Sequence, residues 1–182
     1  MPGGSLVTSE SVPLSLTPGN QTHGTAGGTL TTIVDRDDPL NPYVNGAAGN
    51  NPNALTFIFQ VANTSGNDSI SQLSINGFSA FDVYVGSVTS SPEKVPTYIT
   101  PTSVTLNTGF TSQIAVGGES TQIVVETNAT NYVATMDPVI ITQTDEAASY
   151  GPAVATPEPS SLILAAIGMM FFAGLGWRRR RA

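Results

Sequence analysis

Only 10% of the 182 residues are charged and none is cysteine, which excludes disulfides, thiolate metal sites and cysteine nucleophiles. Arg36 and Lys94 are the only basic residues before Arg178, against thirteen acidic ones before position 160, so the body carries a formal charge of −11 and the tail +4. Such a body repels nucleic acid, whose binding needs clustered Lys and Arg to release counterions. Its Thr, Val, Gly and Pro content points to short strands joined by turns.

In chain order, residues 1–28 are rich in Gly, Ser, Thr and Pro and read as a flexible entry segment, a partly ordered strand or linker. Thr29–Val34 is an expected strand, and Asp35–Asn53, dense in turn formers, an expected loop. Leu55–Asn63 carries the strongest strand signal, with Leu55, Phe57, Phe59 and Val61 on one face by period two. A turn at Asn63–Asp68 leads to expected strands at Ile70–Phe78 and Phe81–Val88. Ser103–Leu106, Gln113–Val116, Thr121–Thr127, Tyr132–Thr135 and Val139–Thr144 complete the set. Eight or nine short strands at this spacing predict an all-β fold, an antiparallel β-sandwich over residues 29–146. Phe57, Phe59, Val61, Val83, Val85, Ile123 and Val125 are expected to point inward. Residues 147–159 form an expected linker, and 160–182 an apolar helix with a basic end.

Few residues of the body suggest chemistry. Asp35, Asp37, Asp38 and Asn41 hint at calcium through their oxygens, but the spacing is not that of a helix–loop–helix site, and a solvated turn is the plainer reading. His23 is the only histidine and lacks the companions that a catalytic zinc or a triad needs. A glycosidase-like carboxylate pair depends on the fold and stays open, although Asp68, Asp137, Asp145 and Glu146 fall in turns. The N-x-S/T triplets at Asn20, Asn63, Asn67 and Asn128 read as turn chemistry, with glycosylation as the alternative. A surface module binding carbohydrate or a protein partner would need an aromatic platform, for which Tyr43, Tyr84, Tyr98 and Tyr132 are available. No catalytic residue, cofactor or metal ligand is assigned, and the body is expected to be non-enzymatic.

The C-terminus is more informative. Leu162–Trp177 is sixteen residues without a charge, built from Leu162, Ile163, Leu164, Ile167, Phe171, Phe172 and Leu175 and closed by Trp177. As a helix it would span about 24 Å, short of the roughly 30 Å hydrocarbon core but within what arginine snorkelling and local thinning accommodate. Arg178, Arg179, Arg180 and Arg181 then form a stop-transfer signal, which the positive-inside rule places in the cytoplasm. Before the span, Pro157, Glu158 and Pro159 favour an extended segment that joins neither helix nor sheet.

This order of a Pro-Glu-Pro tripeptide, a short hydrophobic helix and a terminal arginine cluster resembles the PEP-CTERM sorting signal of bacterial exported proteins. The body segments LTFIFQVANTSGNDSISQLSINGF and GGESTQIVVETNATNY resemble those of other such proteins less specifically. The resemblance implies an exported precursor held in the inner membrane, with an exosortase and the lipid bilayer as partners. It also implies a destination at the cell surface or extracellular matrix and an association with exopolysaccharide. A protein of this kind starts with a signal peptide, yet residues 1–35 hold no Lys or Arg and no apolar h-region. The favoured expectation is therefore that a leader is encoded upstream of Met1, the alternatives being a leader already removed or insertion by the tail alone.

Overall fold

The computed structural model describes residues 4–16, 26–46, 48–67, 69–88, 96–101, 105–135 and 149–154. Among these the chain is mostly antiparallel β-sheet with almost no helix. The main sheet holds β1 (Ser5–Leu16), β2 (Ala26–Arg36), β3 (Leu55–Gly66), β9 (Gln122–Thr127) and β5 (Val83–Val88) in the order β1-β2-β3-β9-β5, with the short β8 (Gly118–Glu119) paired to the end of β3. A second sheet has the order β4-β7-β6, from β4 (Ile70–Asn76), β6 (Pro96–Pro101) and β7 (Thr105–Ile114). β10 (Asn131–Thr135) and β11 (Ser149–Ala153) form a separate pair. The only described helix is one turn, α1 (Pro42–Asn45).

Alternation on β3 decides the packing. Leu55, Phe57, Phe59 and Val61 all turn to one side and are fully buried. Register places Phe57 between Val34 and Val125, and Phe59 between Thr32 and Ile123. Across the core lie Ile70, Leu73, Ile75 and Phe78 from β4 and the residues just after it, with Ile114 from β7. Phe78 meets the Phe57 and Phe59 rings edge-on, with centroids 5.5 and 6.3 Å apart, a favoured aromatic geometry. The expected inward set is largely as read: Phe57, Phe59, Val61, Ile123 and Val125 are buried, while Val83 and Val85 on the edge strand β5 are half-buried against the same core.

Several elements differ from the expectation. Ser5–Leu16, within the entry segment, is a full strand paired along its length with β2. Ser103–Leu106 and Gln113–Val116, read as two strands, belong to one long strand, β7, apart from their ends. β6 and β11 went unread. The Asp35–Asn53 loop is entered two residues late, because β2 runs to Arg36, and it contains α1. The strand expected at Val139–Thr144 and the membrane helix expected within 160–182 lie outside the described residues. Among the described residues, no helix is long and apolar enough to cross a membrane.

The β2–β3 register shifts at Gly27/Gly28. A Cβ on Gly28 would collide with the Ala62 carbonyl oxygen, so this bulge requires glycine.

Truncating the central ring, Phe57→Ala, should destabilise the fold by about 3–5 kcal/mol. Val83→Ala on the half-buried edge should cost less. Denaturant unfolding of the detergent-solubilised chain followed by circular dichroism measures both.

Candidate functional site

The main sheet has a second face, away from the core. Along one row across four strands, Asp35 (β2) pairs with Thr56 (β3), Thr56 with Glu126 (β9) and Glu126 with Tyr84 (β5). The next row, Ile33, Ile58, Val124 and Gly86, is apolar. The 37–54 loop folds over the polar row. Asn41 fastens it: its Nδ2 donates to the Leu55 carbonyl (3.2 Å), the Thr56 hydroxyl oxygen (3.1 Å) and the Thr127 carbonyl (3.4 Å). Its Oδ1 accepts from Tyr43 N–H (2.9 Å) and caps α1. Tyr43, Val44 and Ala54 make a small core under this loop, and the Tyr43 ring lies 5.7 Å from that of Tyr84.

This fold-back corrects the reading of a solvated turn. Asp37 takes a left-handed conformation (φ 57°) and is exposed, whereas Asp35 is buried and Asp38 and Asn41 are wholly inaccessible. Asp38 Oδ1 accepts from Leu40 N–H (3.1 Å), but Oδ2 is buried with no hydrogen-bond partner among the described residues. Burial first, and the Asp38 charge second, push the carboxyls of Asp35 and Glu126 above their usual range. Arg36 is the one basic side chain among the described residues. It alternates to the opposite face of β2, and its Nε is also buried without a partner. Among the described residues no group of three or more His, Cys, Asp or Glu side chains is arranged to hold a metal ion. Beside the acidic row, Gly4, Leu6, Ser9, Ile33, Asp35, Ile58 and Gln122 line an open cavity of about 290 Å³.

The other singled-out residues separate. Tyr43 and Tyr84 touch, but Tyr43 is buried, and only Tyr84 offers an exposed ring. Tyr132 packs edge-on against Tyr150 at a different place, 5.5 Å between centroids. Tyr98 belongs to β6, and its side chain is outside the description. Asn63 is buried and structural, its Nδ2 donating to the Ile114 carbonyl (2.9 Å). Asn128 clasps Asp82 through Nδ2 to Oδ2 (3.1 Å) and through its Oδ1, which accepts from Asp82 N–H (3.3 Å). His23, Asn20, Asp68, Asp137, Asp145 and Glu146 lie outside the described residues, as do Pro157, Glu158 and Pro159, the span from Leu162 to Trp177, and Arg178 to Arg181.

What the structure adds to the tail is its point of departure. β11 is built into the fold: Ser149, Gly151 and Pro152 are buried. The Ser149 hydroxyl bonds that of Thr32 at 2.8 Å, and the Tyr150 ring meets that of Tyr132 edge-on. Val154, the next residue, is exposed.

Residues 155–181 match the PEP-CTERM protein-sorting motif. The chain therefore carries this motif at its C-terminus, and a motif of this kind implies an exported, membrane-sorted protein processed by an exosortase. No curated protein and no solved structure matches the chain.

The raised carboxyls set a pH dependence. The folded state holds protons on Asp35 and Glu126 at pH values where the unfolded chain has already lost them. Their contribution to stability is thus complete below the ordinary carboxylate range and is lost as pH rises through the raised values. The charged and titratable neighbours are Asp38, Asp82, Tyr43 and Tyr84, with Arg36 on the opposite face. In a chelating buffer the melting temperature should rise as pH falls from 7 towards about 5. Asp38→Asn should flatten that rise, since it removes the second cause at both groups; melts at a series of pH values measure the two slopes.

Proposed function

We propose that this is a non-enzymatic surface or matrix protein, delivered by export and held by its tail until an exosortase acts at Pro157-Glu158-Pro159. The observation that carries the reading is the motif over residues 155–181. In this reading the body is an antiparallel β-sandwich on the outer side of the membrane, and its shared core of residues from two sheets supports that architecture. Leu162–Trp177 spans the bilayer, with Trp177 at the boundary and Arg178 to Arg181 in the cytoplasm. The acidic body and the short, polar segment before the span suit a protein that ends up among exopolysaccharide rather than against an anionic lipid surface.

The position of β11 sharpens this picture. Only eight residues, 154–161, separate it from Leu162, which reach at most about 26–29 Å when extended. The body of the uncleaved precursor is then confined to the membrane surface, and cleavage at the tripeptide leaves β11 with the body.

Replacing Pro157-Glu158-Pro159 by three alanines should leave the body folded and inserted but block removal of the tail in a host with an exosortase. The uncleaved protein should run about 2–3 kDa larger on a gel, scaled from 18.8 kDa for the 182 residues. Unchanged shortening of this variant would reduce the tripeptide to a linker. Changing Arg178 to Arg181 to Ser should act differently, losing protein from the membrane or inverting it while the tripeptide is intact. Membrane fractionation and protease accessibility distinguish the two.

A further inference from the structure

We propose that Asp38, together with Asp35 and the neutral oxygens around Thr56, forms a binding site for a hard divalent cation of the calcium class. The main observation is Asp38 Oδ2, wholly buried and, among the described residues, without a hydrogen-bond partner, in the loop whose Asn41 is bonded to Thr56 of the acidic row. A carboxylate oxygen withdrawn from water has a large cost unless something positive or a donor faces it. Among the described residues no donor does so, and Arg36, the one described cation, is on the opposite face of β2. The neighbours make the deficit worse, because Asp35 and Glu126 both feel the Asp38 charge. A cation resolves all three at once.

The donor set selects the class. Among the described residues the surrounding side chains are Asp35, Asp38, Thr56, Glu126 and Asn41, all oxygen-bearing, with no imidazole or thiolate, a set that disfavours zinc, copper and nickel. Asn41 turns its amide nitrogen to Thr56 and two carbonyls and so shapes the floor. Calcium accepts six to eight oxygens in a flexible geometry and tolerates carbonyls and water among them. Since three acidic side chains do not meet closely enough to ligate one ion directly, at most two carboxylates bind it. Glu126 then acts through a water molecule. Few direct charges mean weak binding, with a dissociation constant of about 10⁻⁴–10⁻³ M, the range of extracellular calcium modules. The open cavity whose lining includes Asp35, Ser9 and Gln122 brings solvent to the Asp35 end of the row.

The test is the melting temperature of the full chain in detergent, in EGTA and in 10 mM CaCl2, with MgCl2 and with NaCl of matched ionic strength alongside. Calcium should raise the midpoint by roughly 3–10 °C at those affinities. Asp38→Asn keeps the acceptor for Leu40 N–H. It should melt above the parent in EGTA and lose the response to calcium. Glu126→Gln, at a half-buried position, should retain the fold and show a reduced response. A calcium shift no larger than that from magnesium or sodium overturns the proposal, and so does an Asp38→Asn variant that responds like the parent. If Asp38→Asn does not fold, the Glu126→Gln variant decides, and an undiminished shift there rejects the site.

Discussion

The constraint on which the structure depends is that β3 is buried on both faces from Leu55 to Phe59. One face is served by the second sheet, through Phe78 and the β4 aliphatics. The other needs a cover that the strands do not supply. At Thr56 the long loop between β2 and β3 provides it by folding back, pinned by the three donations of Asn41, while Ile58 borders the cavity beside β1. Asp38 is carried into the interior by that return. Its burial is thus a by-product of covering a strand, and the chemistry of the acidic row follows from a packing requirement.

The two ends of the molecule do different work. The strands hold a compact acidic body, while the information about destination lies in the 27 residues that match the sorting motif. The two meet at β11. Because this strand is paired to β10 and bonded to Thr32, the sorting segment hangs from the core rather than from a loose end. A tail swapped onto another body would carry its address but not this attachment.

Much of the fold could be read in the sequence where apolar alternation is strong. LTFIFQVAN and QIVVET gave away β3 and β9, and their inward faces are those seen. β1 was harder: SLVTSESVPLSL alternates hydroxyls with aliphatics on an edge, and its pairing is supplied by β2. β11, SYGPA, contains a Gly-Pro pair that reads as a turn, and only tertiary pairing makes it a strand. The acidic row could not be read at all. Asp35 and Glu126 are 91 positions apart, and their proximity depends on β3 lying between β2 and β9. The sorting tail was the reverse case, legible because its signal is composition and order along the chain, with no need of a fold.

The β10–β11 register also sets how the body answers to tension. Ala153, nearest the tail, lies opposite Asn131, nearest the point where β10 joins the rest of the chain. A pull on the C-terminus therefore opens the pair from that end, one rung after another, as a zipper does, instead of shearing five rungs together. The peel travels from Ala153 towards Ser149, whose bond to Thr32 and whose buried position make it the final hold. A load on the tail would thus lengthen the segment that carries it by a few residues first, before the main sheet is pulled, and the strand could close again when the load is released.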